Sequence, residues 1–544
     1  MKFTLVLIAA ILISLAWLMP VHYRPWVTYT GELYTFFALF AIAAIFLKEK
    51  IKLPVVGLPL LLLACVPLIQ LLVGQVFFFS TAMMAAIYVF SFWLASVLGY
   101  NFSTGQLNRE ETFTNLSYVF LASGAITGLI ALCQWTNLDA TLLGMVNISG
   151  KQRPYANFAQ PNNMATFLVM ALMSCLYLYE KKKIPTQWLM GCALPIVMGV
   201  ALSQSRTAWV ASIVIMLYLA FYQYKGVIRL KWYYSSLWFG FFVICIIAFP
   251  LLSQLAAQAI DADVVQSRDV VARATGDMSR LAIWQQMLTA IQARPWFGYG
   301  WYQTSVAFVS ISDTVQGPVW IRSAHNFIID FLVWNGLLIG LPFLAYFGYL
   351  GYQLQIWVKT PESVIGILMI GAFLTHAMFE FPQHYAYFLL PVGFILGTVL
   401  AQNPNIKTVT LPAIAMKIIF GFGLLLLIVI YRDYDVAVPK LGQSIRYEQQ
   451  PEKITNQQPI YLLTEFNHRI DWIRLNPYSK VSSEQIQEGE QMVLSYPTKY
   501  NLIKYAKLLA FNGYENEAKH QLQRLKVIQK TELSYEELIQ DMPR

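Results

Sequence analysis

The chain has 544 residues, of which 57% are hydrophobic and 12% are charged, and its formal net charge is +9. A soluble domain usually carries about 25% charged residues, so this composition excludes an ordinary soluble protein. The positive charge does not indicate nucleic-acid binding, because most of the excess lies in short loops between apolar segments, where basic residues set membrane topology. The five cysteines lie in or beside apolar segments without Cys-x-x-Cys spacing, so neither a disulfide framework nor a metal cluster is predicted.

Apolar runs recur from the start of the chain to about residue 431. About 20 such residues span the hydrocarbon of a bilayer as a helix. We therefore predict an all-α polytopic membrane protein with about thirteen transmembrane helices. The predicted spans are 3–19, 30–47, 54–73, 77–99, 115–135, 163–180, 187–203, 207–224, 233–253, 326–353, 362–378, 384–401 and 410–431.

Basic residues gather in five short loops between these spans. When the spans are counted alternately, all five loops fall on one side, which the positive-inside rule assigns to the cytoplasm. The loops carry Lys48, Lys50 and Lys52; Lys181, Lys182 and Lys183; Lys225, Arg229 and Lys231; Lys359; and Lys407. The same count places loops 136–162 and 254–325, and everything after Tyr431, on the outside.

The composition changes near residue 432, where apolar runs stop and Gln, Asn, Lys and Glu become common. We predict a transmembrane domain at 1–431, which contains the large outer loop 254–325, and a soluble helical domain at 432–544. In the loop, residues 278–293 have the pattern of an amphipathic helix on the membrane face or against the bundle. In the tail, 500–513 and 514–528 predict a helical hairpin, similar to one tetratricopeptide unit; a plain helical domain is the alternative.

Several arginines lie on the predicted outer side, where the positive-inside rule leads us to expect few basic residues. Interface anchoring explains any single arginine, but it explains the set poorly. Guanidinium groups grip phosphate oxygens in a bidentate and permanently charged geometry. The set therefore predicts a site for a phosphorylated substrate, such as a polyprenyl diphosphate in the outer leaflet. Its members are Arg153, Arg206, Arg280 and Arg322.

His325 lies where the large loop enters the next apolar segment. An ionisable residue at such a boundary is costly unless it has a task or a partner. Histidine is mostly neutral at pH 7, so it can accept the proton of an attacking hydroxyl, which contributes roughly 10²–10⁴-fold to a rate. We predict His325 as a catalytic base; interfacial packing is the alternative. Asp330 would point away from His325 on a helix, so no triad is predicted.

A second polar cluster ends span 362–378, where His376, Glu380 and His384 follow one another at spacings of four residues. On an unbroken helix the three side chains would share one face and suit a metal ion. Pro382 interrupts that helix, so no metal site is predicted. A His376–Glu380 pair that supports the hydrogen bonding of the site is one interpretation, and packing at a helix end is the other.

Taken together, the clusters between about residues 150 and 400 resemble the bacterial protein O-oligosaccharyltransferases that glycosylate pilins. Those enzymes share a membrane core with O-antigen ligases and O-antigen polymerases. The motifs that carry the resemblance are Asn157-Phe-Ala-Gln-Pro-Asn162, Ser205-Arg-Thr-Ala-Trp209, Arg280 with Ile283-Trp284, Arg294-Pro-Trp-Phe-Gly-Tyr-Gly-Trp301, Ala324-His-Asn326 with Asp330, Val333-Trp-Asn-Gly336, and His376 with Glu380-Phe-Pro382 and His384-Tyr-Ala-Tyr387.

The resemblance implies en bloc transfer of an oligosaccharide from undecaprenyl diphosphate to Ser or Thr of a periplasmic or pilin-like protein, without metal or cofactor. It implies a bacterial inner-membrane enzyme whose active site and tail face the periplasm. His325 matches the essential histidine, and Arg206, Arg280 and Arg322 match diphosphate contacts. The other predicted donor-binding residues are Arg153, Gln160, Asn162, Asn163 and Asn326, and the predicted supporting residues are His376, Glu380, His384 and Tyr385.

Two residues depart from the family pattern: Asn163 stands where histidine is frequent, and Ala159 where glycine is frequent. They bear on fine specificity more than on chemistry. The alternative functions are O-antigen ligase, O-antigen polymerase, and transport of a lipid-linked sugar. Transporters place ionisable residues near the bilayer midplane on broken helices of paired repeats, whereas here the polar clusters gather at one predicted face and no internal repeat is visible.

Overall fold

The computed structural model of the chain describes residues 2–148, 152–260, 279–315, 320–540 and 542. Parts of the predicted loop 254–325, namely 261–278 and 316–319, lie outside the described residues, as does Lys151. The described residues form two compact units. Unit 1 takes those within Met1–Leu61, Phe90–Gly276 and Phe347–Phe422, and unit 2 takes those within Leu62–Val89, Asp277–Tyr346 and Gly423–Arg544.

A helix lies at each of the thirteen predicted spans. These helices are α1 Lys2–Leu18, α2 Tyr29–Ala44, α3 Pro59–Leu72, α4 Phe79–Phe102, α5 Gln106–Trp135, α6 Pro161–Glu180, α7 Thr186–Leu202, α8 Arg206–Tyr224, α9 Trp232–Ile260, α12 Phe327–Gln355, α13 Pro361–Ala377, α14 Ala386–Leu400 and α15 Ala413–Arg446. The other helices are α10 Ser279–Ala293, α11 Thr304–Ser310, α16 Glu465–Arg474, α17 Ser483–Ser495, α18 Lys499–Phe511, α19 Glu515–Gln529 and α20 Tyr535–Gln540. The strands are β1 Ile51–Pro54 and β2 Thr408–Leu411.

Within the described residues, eight helical segments are long and apolar enough to cross a membrane: Val55–Leu72, in which a 3₁₀ turn precedes α3, and those of α4, α5, α6, α8, α9, α12 and α15. The other five apolar helices have 10–17 residues. A multi-pass helical membrane protein is therefore confirmed, while the count of thirteen spans stays a prediction.

Close backbone approach holds two of these helices together in unit 1. A Cβ atom added at Gly397 of α14 would lie 1.8 Å from the carbonyl oxygen of Ser96 in α4, and one at Gly393 would lie 2.8 Å from that of Phe92. Glycines four residues apart let helix backbones meet where no hydrophobic driving force exists between helices. The pair explains why α4 and α14 pack directly.

The basic loops meet at one end of unit 1. Strands β1 and β2 pair antiparallel from Ile51↔Leu411 to Pro54↔Thr408. Lys181 Nζ lies 2.5 Å from a carboxylate oxygen of Glu362, and Arg229 donates to the Tyr179 carbonyl at 2.6 Å. These contacts place the loop at 48–52 beside that of Lys407, and the loop of Lys181 beside Glu362 and Arg229; that all five loops share the cytoplasmic side of a membrane stays a prediction.

In unit 2 the tail packs with earlier parts of the chain. Helix α15 continues to Arg446, past the predicted end of its span at 431. One apolar core joins Met83, Ile430, Val436 and Ile470 with their neighbours. The predicted hairpin is present as α18 and α19, joined at Gly513 with φ +87°. Its likeness to a tetratricopeptide unit stays a prediction.

Candidate active site

The motif 157–162 forms a tightly held turn before α6. The buried Asn157 amide donates to the carbonyl oxygens of Leu18 (2.6 Å) and Gly144 (2.9 Å). The fully buried Gln134 accepts hydrogen bonds from the amides of Tyr155 and Ala156 at 3.0 and 2.7 Å. Asn157 is thus a structural residue of this motif. Ala159 has φ +58°, a left-handed conformation that suits glycine, which accounts for the glycine frequent at this position in the resembling family.

The first turns of α6 face the polar cluster at the end of α13 and the start of α14. Asn162 Nδ2 donates to Glu380 Oε1 at 3.0 Å, and Asn163 Nδ2 donates to the Tyr387 hydroxyl at 3.0 Å. Thr166 Oγ1 lies 3.0 Å from His376 Nδ1. His376, Glu380 and Asn163 are buried. The structure therefore brings together the predicted donor-binding amides and the predicted supporting residues of unit 1.

The three residues weighed as a metal site do not share a helical face. Helix α13 ends at Ala377, so Glu380 lies in the turn that follows, and His384 lies in a short 3₁₀ turn at Pro382–His384. Tyr385 follows this turn and precedes α14. Among the residues that the structure describes, no group of three or more His, Cys, Asp or Glu side chains is placed to hold a metal ion.

Glu32 in α2 is a member of the unit 1 cluster that sequence reasoning missed. It is buried, and its Oε2 accepts the amide of Ala386, the first residue of α14, at 2.6 Å. A carboxylate at a helix N-terminus is stabilised by the helix dipole. The signal was present in the sequence, because Glu32 is the single acidic residue of the apolar run 30–47 and such a residue marks a functional site.

The two predicted donor-binding arginines of unit 1, Arg153 and Arg206, lie at the turn between α7 and α8. Arg153 Nη1 lies 3.3 and 3.4 Å from the carbonyl oxygens of Ser203 and Gln204. Arg206 is the first residue of α8 and is exposed, and Ser205 caps this helix. Gln160 occupies the N-cap position of α6. Two guanidinium groups at the positive end of a helix dipole favour an anion there.

In unit 2, His325 lies in a loop held by one carboxylate. Asp330 is fully buried; its Oδ1 accepts the Thr304 hydroxyl at 2.8 Å and the Ala324 amide at 2.9 Å. Its Oδ2 accepts the Ser323 hydroxyl at 2.5 Å, and Ser323 Oγ in turn accepts the His325 amide at 3.0 Å. His325 itself has φ +54°. Asp330 thus binds the backbone around His325, a role that sequence spacing did not reveal because His325 is not on the helix.

The helix α10 reaches the same loop. Trp284 Nε1 donates to the Ala324 carbonyl at 2.9 Å. The half-buried Arg280 lies one turn before Trp284 on α10. Asn326 accepts the Ile329 amide at 3.1 Å and so caps α12. Trp284, Asn326 and Asp330 therefore fix both sides of His325.

The motifs at 294–301 and 333–336 meet at a break in α12. Gly336 has φ +62° and ψ −173° inside the helix. The backbone amides of Tyr299 and Gly300 donate to the carbonyls of Val333 and Trp334 at 2.8 and 2.9 Å. The Gln70 side chain, missed from sequence, donates to the Trp334 carbonyl at 3.0 Å and accepts the Trp301 amide at 2.9 Å. The motifs at 294–301 and 333–336 are thus two halves of one packed feature.

Arg322 contacts the tail rather than standing alone in the loop. Its guanidinium carbon lies 4.9 Å from the Trp320 ring centre and 4.8 Å from that of Tyr496. Trp320 Nε1 donates to Ser305 Oγ at 2.8 Å, and Ser305 Oγ donates to the Leu494 carbonyl at 3.0 Å. Burial raises the pKa of the Tyr496 phenol, and the Glu465 carboxylate raises it further, so the ring that faces Arg322 stays neutral.

Comparison with known proteins decides the family. A general O-oligosaccharyltransferase of Acinetobacter baylyi is 40% identical over 548 aligned residues, which cover 99% of this chain and 95% of that protein. The chain belongs to the bacterial O-oligosaccharyltransferase family. A ComP-specific O-oligosaccharyltransferase of the same organism is 30% identical over 338 residues, 62% of this chain and 59% of that relative.

Three family models match successive parts of this O-oligosaccharyltransferase family member. A protein glycosylation ligase model matches residues 154–179, which include Asn162 and Asn163. An O-antigen ligase model matches 190–344, which include Arg206 and His325. A model for the C-terminal part of a virulence-factor membrane-bound polymerase matches 364–530, which include His376 and most of the tail. The matched ranges contain the predicted site residues except Arg153, which lies just before the first of them.

Proposed function

We propose that this chain glycosylates proteins on oxygen: it transfers an oligosaccharide en bloc from undecaprenyl diphosphate to Ser or Thr of a periplasmic, pilin-like protein. The single observation that supports this best is the 40% identity to a general O-oligosaccharyltransferase over nearly the whole chain. Membership of the family supports a lipid-linked donor and a protein acceptor. The bacterial inner membrane, with the active site and tail on the periplasmic side, is the location that this reaction requires.

His325 is the proposed general base. A hydroxyl acceptor must lose its proton as it attacks the anomeric carbon, and a neutral imidazole at the site accepts it. The left-handed backbone of His325 costs roughly 1–2 kcal/mol in a residue other than glycine. A residue keeps such a conformation only where several surrounding contacts hold it, and such residues are common at active sites. The hydrogen bonds of Asp330 to Ser323 and Ala324 provide that support.

The departing diphosphate is a stable anion, so it needs no proton from an acid but does need cations that neutralise its charge. Arg206, Arg280 and Arg322 are the proposed diphosphate contacts. Arg322 stacks through the faces of its guanidinium group, which leaves the edge N–H groups to donate to phosphate. The further donor contacts proposed are Arg153, Gln160, Asn162, Asn163 and Asn326, with His376, Glu380, His384 and Tyr385 as supporting residues.

The decisive experiment is transfer in vitro from purified lipid-linked oligosaccharide to an acceptor peptide by purified protein. We expect transfer by the wild type. In His325→Ala the transfer rate should fall by about 10²-fold or more, because that is the rate contribution of a general base. His520→Ala is a matched control, because His520 is a partly exposed histidine of the tail whose ring nitrogen lies 2.9 Å from Asp313 Oδ2. Normal transfer by a folded His325→Ala protein would contradict the role of base.

O-antigen ligation is the second candidate, because the O-antigen ligase model matches residues 190–344. A deletion strain separates the two. Loss of glycan from secreted protein supports protein glycosylation, whereas unmodified lipopolysaccharide core with normal protein glycosylation supports ligation; loss of O-antigen chain extension would indicate a polymerase. A transporter of lipid-linked sugar would give no transfer in the purified system.

A further inference from the structure

A turn that follows α10 presents two large aromatic side chains on the surface of unit 2. Trp296 and Phe297, from the motif at 294–301, are each 60% exposed. Adjacent exposed apolar side chains of this size mark an interaction surface. We propose that the aromatic turn, residues 294–297, is an interfacial membrane anchor: its two rings insert where phospholipid headgroups meet acyl chains, and Arg294 binds a lipid phosphate.

The backbone of the aromatic turn is fixed, although its rings are exposed. The carbonyl oxygen of Trp296 accepts the amide of Leu338 at 3.1 Å, and that of Phe297 accepts the Gln75 side-chain amide at 2.7 Å. A Cβ atom added at Gly298 would lie 2.4 Å from a carbonyl oxygen of α12, so the chain leaves the turn in close contact with that helix. A backbone held in this way presents the rings already in place, so little entropy is lost when they bind.

Two apolar segments end at the level of the aromatic turn. The segment Val55–Leu72 is about 27 Å long as a helix and residues 337–355 of α12 about 28 Å, each close to the roughly 30 Å of a bilayer's hydrocarbon. Neither contains a charged residue. The turn bonds to Leu338, at the start of the second segment, and to Gln75, three residues after the end of the first. The turn therefore lies where hydrocarbon gives way to headgroups.

The rings of the turn continue the apolar surface of these two segments. Leu338, whose amide binds the Trp296 carbonyl, is about half exposed. Leu72 and Val73, at the end of the first segment, are largely exposed. Side chains exposed on membrane-spanning helices contact lipid, so the same lipid surface reaches the aromatic turn. This continuity favours a bilayer over a water-borne partner as the occupant.

The charge of this part of the chain suits a surface of lipid phosphates. Residues 279–312 contain Arg280 and Arg294 and no Asp or Glu. Arg294 is exposed, its guanidinium carbon lies 4.8 Å from the Tyr299 ring centre, and it forms no ion pair with a carboxylate in the described part of the chain. A guanidinium group stacked on a ring keeps its edge N–H groups for phosphate. Tryptophan and arginine are typical of the membrane–water interface, where each has an apolar body and a polar end.

Helix α10 connects the aromatic turn to the loop of His325 within unit 2. Trp284 of this helix donates to the Ala324 carbonyl at 2.9 Å, and Ala293 ends the helix beside the turn. These two points of α10 are about 14 Å apart along its axis. The anchor therefore sets the level of the His325 loop relative to the bilayer surface. This consequence for transfer rests on the proposed function, whereas the lipid contact itself does not.

Photocrosslinking tests the lipid contact directly. The photoreactive residue p-benzoylphenylalanine replaces Trp296, Phe297 or, as the control, Tyr514 in the full-length protein, which is irradiated in vesicles of phosphatidylethanolamine and phosphatidylglycerol. Tyr514 is also an exposed aromatic residue in a turn, but it lies between α18 and α19 of the tail. We expect adducts of phospholipid mass at 296 and 297 and none at 514, and added acceptor protein should not reduce them.

Three results of this experiment would overturn the proposal. They are the absence of phospholipid adducts at 296 and 297, equal yields at all three positions, and replacement of the lipid adducts by crosslinks to the acceptor protein. The last result would assign the aromatic turn to acceptor binding instead.

Transfer assays separate an anchor from a packing role. The double variant Trp296→Ala with Phe297→Ala should raise the KM for the lipid-linked donor about fivefold in vesicles, because a smaller fraction of the protein holds its loop at the level of the donor. In detergent, which has no bilayer surface, KM and kcat should stay within about twofold of the wild type. Phe297→Ala alone is the second variant if the double variant does not fold, and Trp296→Tyr, which keeps an interfacial ring, should behave like the wild type.

Equal losses in vesicles and in detergent would show that the rings serve packing, and they would overturn the proposal. If the wild type transfers no glycan in either medium, the proposed function fails, and the photocrosslinks alone then decide whether the aromatic turn is a membrane anchor.

Discussion

At the scale of single residues, Asp330 holds the loop around His325 in place through hydrogen bonds. Its carboxylate accepts hydrogen bonds from Thr304, Ser323 and Ala324 while fully buried. Leaving buried donors without a partner costs about 1–3 kcal/mol each. Asp330→Ala should therefore lower the free energy of unfolding by about 3 kcal/mol or more, measured by thermal or denaturant unfolding in detergent.

Asp330→Asn separates positioning from stability. The amide keeps the volume and one acceptor oxygen, so we expect a smaller loss of stability, about 1–2 kcal/mol, with a lower kcat and an unchanged KM for the lipid donor. An equal rise in KM would instead mean that Asp330 contacts the donor. Glu362→Gln, at the basic-loop end of unit 1, is the control for removal of a buried carboxylate.

Tyr496 is a positioning residue by the same reasoning, because its ring stacks on Arg322 two residues after Trp320. A cation–π contact contributes about 0.5–1 kcal/mol at such partly exposed sites, so Tyr496→Leu should reduce transfer several-fold. Tyr496→Phe keeps the ring and should retain most of the activity, although it loses the bond to Glu465. Tyr514→Leu, at an exposed tyrosine of the tail, should have no effect; equal losses in Tyr496→Leu and Tyr496→Phe would contradict the stacking role.

At the scale of elements, the break in α12 is the most sensitive feature. A Cβ at Gly336 would lie 2.3 Å from the Trp296 carbonyl, and the φ/ψ values of Gly336 belong to a region that is essentially restricted to glycine. Gly336→Ala should therefore cost roughly 3 kcal/mol or more and abolish transfer. Gly348→Ala on the same helix meets no atom within 4 Å and should be tolerated. The melting temperature and the transfer rate of both variants are measured. A stable and active Gly336→Ala protein would show that the break is dispensable.

The elements also show what the sequence could and could not predict. Helices such as α6 and α8 follow from apolar runs, which are local signals, and their ends differ from prediction by one or two residues. The role of Asp330 could not be predicted, because spacing on a helix says nothing about a loop that turns back through a left-handed His325. The contact of Arg322 with Tyr496 joins residues far apart in the chain, where no periodicity reports on proximity. Glu32, by contrast, was visible as a lone carboxylate in an apolar run.

At the scale of the molecule, the tail is part of unit 2 rather than an appended module. The amide of Glu465 donates to Ser80 Oγ at 3.0 Å, and the amide of Ser80 donates to Thr464 Oγ1 at 3.3 Å. Deletion of residues 447–544 should therefore abolish transfer even to a short acceptor peptide that needs no recruiting domain. Full transfer to the peptide, with loss only towards intact protein acceptors, would mean that the tail serves recruitment alone.

The pairing of β1 with β2 imposes an order on biosynthesis. Ile51 leaves the ribosome 360 residues before its partner Leu411 (411 − 51), which at about 5–20 residues per second is a delay of roughly 20–70 s. During that interval the early strand presents an open edge to other nascent chains or to a chaperone. The two-stranded ribbon therefore forms late in synthesis. A product that stops before residue 408 lacks β2, so the edge of β1 stays unpaired, and we expect quality-control proteases to recognise it.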